Sequence, residues 1–216
     1  MNILKKVRNL EKNDKIMLLL LFTTVGNIML AILKFVFSLI IPSLWFFVNS
    51  CFLTILSISR FFSIRAYGRG RSISSETIKR KIGYKNYLNN GILLIILGIM
   101  YFFVSVYMYY KGTNTVMHEY LTYLVALNAF WQVGLSIYGM VKYKRKSSPI
   151  LKAVKLTNFA NALTSIVLTQ VVLLDTYASD YDLTQINGYT GMVVSLMIMI
   201  IGIYMIVNIQ KIGEEI

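Results

Sequence analysis

The connections in this chain alternate between two charge states, and that alternation limits the possible folds more than any motif does. Six apolar stretches, at about 16–41, 43–65, 87–110, 116–141, 150–174 and 187–210, match the roughly 20 residues needed to cross a bilayer. The arm before the first holds Lys5, Lys6, Arg8, Lys12 and Lys15. The connection from the second to the third holds Arg65, Arg69, Arg71, Lys79, Arg80, Lys81 and Lys85, and that from the fourth to the fifth holds Lys142, Lys144, Arg145 and Lys146. The intervening connections carry Lys111 alone. The excess of Lys and Arg on one side predicts that both termini and the basic loops are cytoplasmic. The expected fold is an all-α membrane protein, a single six-helix transmembrane domain over residues 1–216, in a bacterial cytoplasmic (plasma) membrane.

Composition agrees. Hydrophobic residues make up 56% of the chain and charged residues 14%, against about 25% in soluble domains. The net charge of +13 resides mostly in the alternate loops, so it reports topology and gives no reason to expect a nucleic-acid partner. The bilayer is the expected partner, with anionic headgroups at the basic loops. The first apolar stretch is too long for the core of a cleavable signal peptide. A single cysteine, Cys51, excludes an internal disulfide, and a single histidine, His118, excludes a His-rich metal cluster. No Ser/His/Asp or Cys/His set suits an enzyme, and no cofactor motif is present. Gly68-Arg69-Gly70-Arg71 lacks the strand and helix context of a phosphate-binding loop. Pro42 and Ser43 separate the first two spans, residues 111–114 form a turn, and Pro149 marks the start of the fifth span.

No aspartate or glutamate falls mid-span, yet several spans carry neutral polar stripes. At about 100° per residue, Thr157, Asn158, Asn161, Thr164, Ser165 and Thr169 share one face of the fifth span, and Gln170 lies on the other. The first span aligns Thr23, Asn27, Lys34 and Ser38. The second aligns Asn49, Ser50, Thr54 and Ser57 more loosely. Lys34 is the charge set well inside a span, whereas Arg60, Lys152 and Lys155 lie near enough to cytoplasmic ends to snorkel. Two readings stay open. The stripes are interhelical packing contacts, or they line a shared polar cavity built from Asn27, Lys34, Asn49, Thr157, Asn158, Asn161, Ser165 and Thr169. In the second reading Lys34 points inward and meets Asn27, Thr157 or Asn161.

The segment GNIMLAILKFVFSLIIPSLWFFVN, residues 26–49, resembles the first two helices of the cation diffusion facilitator family. That family has an asparagine, a lysine seven residues on, and a Ser-Leu pair nine beyond the lysine, all before an aspartate. Asn27, Lys34 and Ser43-Leu44 match without a gap, and Asn49 replaces the aspartate. Residues 148–166, SPILKAVKLTNFANALTSI, resemble the family's Ser-Pro entry into helix five. Asn187-Gly188 and Gly202 match weaker features of helix six. The resemblance implies a six-helix membrane domain acting as a homodimeric secondary transporter.

The departures from that pattern fall on the chemistry. The family's metal site uses His and Asp side chains from helices two and five. The corresponding positions here are Phe52 and Leu56, or with an offset Asn49 and Leu53, together with Thr157 and Asn161. Neutral amides, hydroxyls and hydrocarbons are poor ligands for a divalent transition metal. The glutamate expected at the entry to helix three has no counterpart at Gly83–Leu88, and the C-terminal metal-sensing domain has none within these residues. The expectation is therefore a cation-efflux-like protein carrying a small solute without an intact metal site. The alternative is a non-transporting membrane partner acting through helix assembly.

Overall fold

The computed structural model describes residues 12–40, 44–71, 73, 75–112, 119–142, 148–177 and 184–213. They form α1 (Lys12–Ile40), α2 (Leu44–Arg71), α3 (Glu76–Lys111), α4 (Glu119–Lys142), α5 (Pro149–Tyr177) and α6 (Thr184–Gly213). All six are long and apolar enough to cross a bilayer, the architecture of an integral membrane protein. Several helices outrun the apolar stretches that mark them. α2 continues through Gly70 to Arg71, and α3 begins at Glu76, well before residue 87. Apolar length locates the part of a helix that sits in hydrocarbon, and polar turns such as residues 77–85 extend the same helices beyond it. The expected boundaries at residues 41, 43 and 116 lie outside the described residues.

Local chemistry fixes the ends. Ser75 precedes α3 in an extended conformation, and Glu76 in the first turn complements the helix dipole while pairing with Lys79 at 2.9 Å. α3 stops at Gly112, whose φ of 81° suits glycine and whose N–H donates to the Met108 carbonyl at 2.9 Å. At the start of α5 the Ser148 hydroxyl accepts from the Leu151 N–H at 3.4 Å, and Pro149 occupies the first helical position, where no N–H is needed.

α2, α3, α5 and α6 form the centre of the bundle, with a core that includes Trp45, Phe52, Leu94, Tyr101, Leu168 and Ile198. α1 packs against α2, and α4 packs against α5. These two helices leave large apolar faces uncovered, among them Phe22, Met29 and Leu39 on α1 and Leu127, Phe130 and Trp131 on α4. In a bilayer those faces meet lipid tails.

The most extensive helix contact is α3 with α6, and it is built on small residues. A methyl group added at Gly188 would lie 2.6 Å from the Tyr109 Cα, and one at Gly202 would lie 2.7 Å from the Gly91 carbonyl oxygen. Lipid tails are as apolar as leucine, so helix pairs in membranes gain from close backbone approach, which glycine permits.

Candidate functional site

The polar stripes sort into separate clusters, each held between neighbouring helices. The first two lie on the α1–α2 interface. Lys34 is 5% exposed and donates from Nζ to the Asn49 side-chain oxygen at 3.5 Å. Both residues sit near the Ile40/Leu44 end of the helix pair, about 8–9 Å along the axes. Deeper along the same interface lies Arg60, 2% exposed. The Asn27 amide oxygen, turned toward α2, accepts from Arg60 Nη1 and, at 3.3 Å, from Nη2; the reverse orientation would set donor against donor. Each helix thus gives one cation and one asparagine, crosswise. Arg60 does not snorkel to a helix end as its sequence position suggested. A partly buried asparagine within reach holds the guanidinium inside.

Around Lys34 the unmet hydrogen-bonding groups are donors. The Asn49 Nδ2 and the Trp45 Nε1, one helical turn apart on α2, are buried without a partner. The Tyr101 hydroxyl on α3 lies toward Asn49 without forming a well-aligned hydrogen bond. The Trp45 and Tyr101 ring centroids are 5.7 Å apart.

The α4–α5 cluster centres on Gln132. Its side-chain oxygen accepts from Asn161 Nδ2 at 2.6 Å and from the Ser165 hydroxyl at 2.8 Å. Its Nε2 donates to Asn128 at 3.4 Å. Asn161, expected beside Lys34, therefore bonds across to α4, and the α1 and α5 stripes belong to different helix pairs. Thr157 and Thr164 turn back onto their own helix, donating to the carbonyls of Val154 and Asn161 at 2.9 Å each. The Asn158 side-chain oxygen and the Thr169 hydroxyl are buried without partners. Gln170, off the polar face, donates to Thr190 on α6 at 2.9 Å.

Sequence reasoning passed over a further cluster between α2 and α3. Ser59 donates to the Asn90 side-chain oxygen at 2.5 Å, and Ser63 donates to that of Asn86 at 3.0 Å. Asn90 Nδ2 closes the set through the Asn86 carbonyl at 2.8 Å. A cavity of about 230 Å³ opens beside Ser59, Asn86 and Asn90. Both overlooked clusters carry a readable signal, since polar residues recur at four-residue spacing. Asn128, Gln132 and Ser136 do so on α4, Ser59 and Ser63 on α2, and Asn86 and Asn90 on α3. A larger groove of about 650 Å³ is lined by Arg80, Lys81, Lys85, Tyr84 and, from α6, Ile209.

The donor set does not suit a divalent metal. Phe52, Leu53 and Leu56 are buried hydrocarbon, and no group of three His, Cys, Asp or Glu side chains converges among the described residues. Cys51 is exposed.

The Gln132 cluster makes a checkable statement. Gln132→Leu removes the acceptor shared by Asn161 and Ser165 and is expected to cost about 1 kcal/mol, in the range of interhelical hydrogen bonds in membranes. Asn161→Leu should cost less in that background than alone, while Asn161→Leu and Lys34→Met should simply add. SDS-driven unfolding of the three single variants and the two double variants measures both pairs. Additivity for Gln132 with Asn161 would separate the residues that the structure joins. No protein-family model matches this chain, and no curated protein sequence matches it.

Proposed function

We propose that this chain is a secondary transporter or permeation pathway for a small solute, with a membrane domain of the cation-efflux type that has lost its divalent-metal site. The observation that carries this reading is hydrogen-bonding capacity left open inside the bundle. Trp45 Nε1, Asn49 Nδ2, Ser57 Oγ, Arg60 Nε and Ser136 Oγ are all buried without a partner. Polar groups kept only to glue helices together would be satisfied by those helices, because an unmet group costs free energy in hydrocarbon. Open donors on the faces that pack together ask for a partner that comes and goes. On this reading the protein is not an enzyme and needs no cofactor. It sits in a plasma membrane as a homodimer, and Arg80, Lys81 and Lys85 hold anionic headgroups at the groove they line.

The competing reading, a non-transporting membrane partner, draws on the clusters bonded across helix pairs, Ser59/Ser63/Asn86/Asn90 and Gln132/Asn161/Ser165, although the Asn161 oxygen stays unpartnered in the second. Purified protein in liposomes decides between them. Transport predicts protein-dependent solute flux from a panel of small anions, amines and neutral solutes, with no tight zinc binding by calorimetry. A panel without any protein-dependent flux would favour the scaffold. Stoichiometric zinc binding that survives His118→Ala with Glu119→Gln would restore a metal substrate.

Orientation is tested separately. In a Cys51→Ser background, cysteines placed at Thr113 and Asp180 should react with an impermeant thiol reagent added to intact cells, and those at Arg71 and Lys144 should not. Strong labelling at Arg71 would invert the topology.

A further inference from the structure

The ligand chemistry of the α1–α2 interface can be taken one step beyond transport of some small solute, and the step rests on that reading. Lys34, Asn49, Trp45 and Tyr101 are each at most 5% exposed. Among the described residues Lys34 makes one hydrogen bond, at 3.5 Å, although an ammonium has three donors. That bond uses the Asn49 oxygen, so the open side of the asparagine is its buried amide N–H groups, which lack a well-aligned partner. Trp45 Nε1 can only donate, and the Tyr101 hydroxyl, which lies toward Asn49, can give its proton or accept one. The neighbourhood therefore offers N–H and O–H donors around a cation, and its one described side-chain amide acceptor is already engaged.

This set discriminates among solute classes. A metal ion or a protonated amine needs several acceptors and would be repelled by Lys34, whereas of these four side chains only the Tyr101 hydroxyl has an oxygen left to accept. A polyol brings its own hydroxyl protons, and those would be left buried and unpaired. A ligand made of acceptors alone satisfies every open group. The acids whose side chains are described, Glu76, Glu119 and Asp175, lie at helix ends, so among the described residues no carboxylate pairs with Lys34. We propose that Lys34, Asn49, Trp45 and Tyr101 form a binding site for a small monovalent anion, whose charge balances the Lys34 ammonium. Arg60, about 16 Å further along α2, supplies a second cation on the same interface, with its Nε also unpartnered. Two cationic stations in series, each paired with a neutral asparagine instead of a carboxylate, are what an anion crossing in steps requires. A single tight site would hold it.

Trp45 reports on the site. Trp131 is the other tryptophan in the chain and lies on an exposed face of α4, so Trp131→Phe isolates the Trp45 signal. The protein is placed in phosphatidylcholine nanodiscs, and chloride, then formate, replaces gluconate at constant ionic strength. Expected are a saturable change in Trp45 emission and a rise in unfolding temperature with anion concentration. Lys34→Met should raise the half-saturating concentration at least tenfold while Lys34→Arg largely preserves it. If Lys34→Met does not fold, Tyr101→Phe and Asn49→Leu, each expected to weaken binding severalfold, carry the comparison. A wild-type signal unmoved by either anion overturns the proposal. So does an equal response in the folded Lys34→Met variant, or a response seen only when anionic lipid is added, which would make the ligand a headgroup. Chloride flux into liposomes separates this inference from the reading beneath it. Saturable binding without flux keeps the anion site and removes transport. Flux of a neutral solute without anion binding removes the anion site and keeps transport.

Discussion

Gly188→Ala is expected to cost roughly 1–3 kcal/mol or more, the range for overpacking a close-fitted contact. The added methyl would stand 2.6 Å from the Tyr109 Cα and 2.8 Å from its backbone nitrogen. Neither atom belongs to a flexible side chain, so the whole of α3 or α6 would have to shift. Along the same seam Gly98→Ala should cost less. Its nearest obstacle, 2.6 Å away, is the Cγ of Met199, which can move to another rotamer. Gly26 on α1 provides the control, because nothing lies within 4 Å of a methyl built there. Gly26→Ala should be neutral or stabilise by up to about 1 kcal/mol through helix propensity alone. Unfolding in SDS, with yield of monodisperse protein as a second measure, should rank Gly188→Ala, Gly98→Ala, wild type and Gly26→Ala in rising stability. Equal behaviour of Gly188→Ala and Gly26→Ala would mean that α3 and α6 do not pack backbone to backbone.

That ranking depends on information the sequence carries only in part. Hydropathy locates all six helices, because crossing hydrocarbon demands a long apolar run wherever the helix sits. The glycines of α6 can be read as a small-residue face, but which helix they approach is a property of the assembled bundle. The same limit applies to the candidate site. Lys34, Asn49, Asn27 and Asn161 are legible as polar positions on helix faces. Their partners are not, since a helical wheel gives direction without neighbour. The polar face of α5 could not announce Gln132, which lies on another helix and is identifiable only by its own four-residue recurrence with Asn128 and Ser136. Arg60 misled for a different reason. Proximity to a helix end makes snorkelling the default for arginine, and only the antiparallel register of α1 and α2 brings Asn27 within its reach.

The Asn27–Arg60 pair carries the other large expected effect. Asn27→Leu should destabilise by about 2.5 kcal/mol, the lower end of what insertion scales assign to an unaccommodated arginine in a membrane helix. The mutation itself adds apolar surface to a lipid-facing helix, which is favourable in hydrocarbon, so the loss must come from Arg60. Arg60 is 2% exposed, and the Asn27 oxygen is its described acceptor. Arg60→Met should cost much less, because methionine fills much of the same space and leaves a single unmet amide on a partly exposed asparagine. The double variant should then recover most of what Asn27→Leu loses, a coupling well above the few tenths of a kcal/mol seen between independent sites. Asn27→Asp sharpens the test. A carboxylate in that place would neutralise Arg60 in a medium of low dielectric constant, so the protein should stay folded while the interface loses one of its two uncompensated charges. If the chain carries anions, Asn27→Asp should leave the Trp45 response to chloride in place and slow chloride flux, since the first station is intact and the second is blocked by its own counter-ion. A small loss for Asn27→Leu with no coupling to Arg60→Met would mean that Arg60 reaches water, and the inner station would then have no basis.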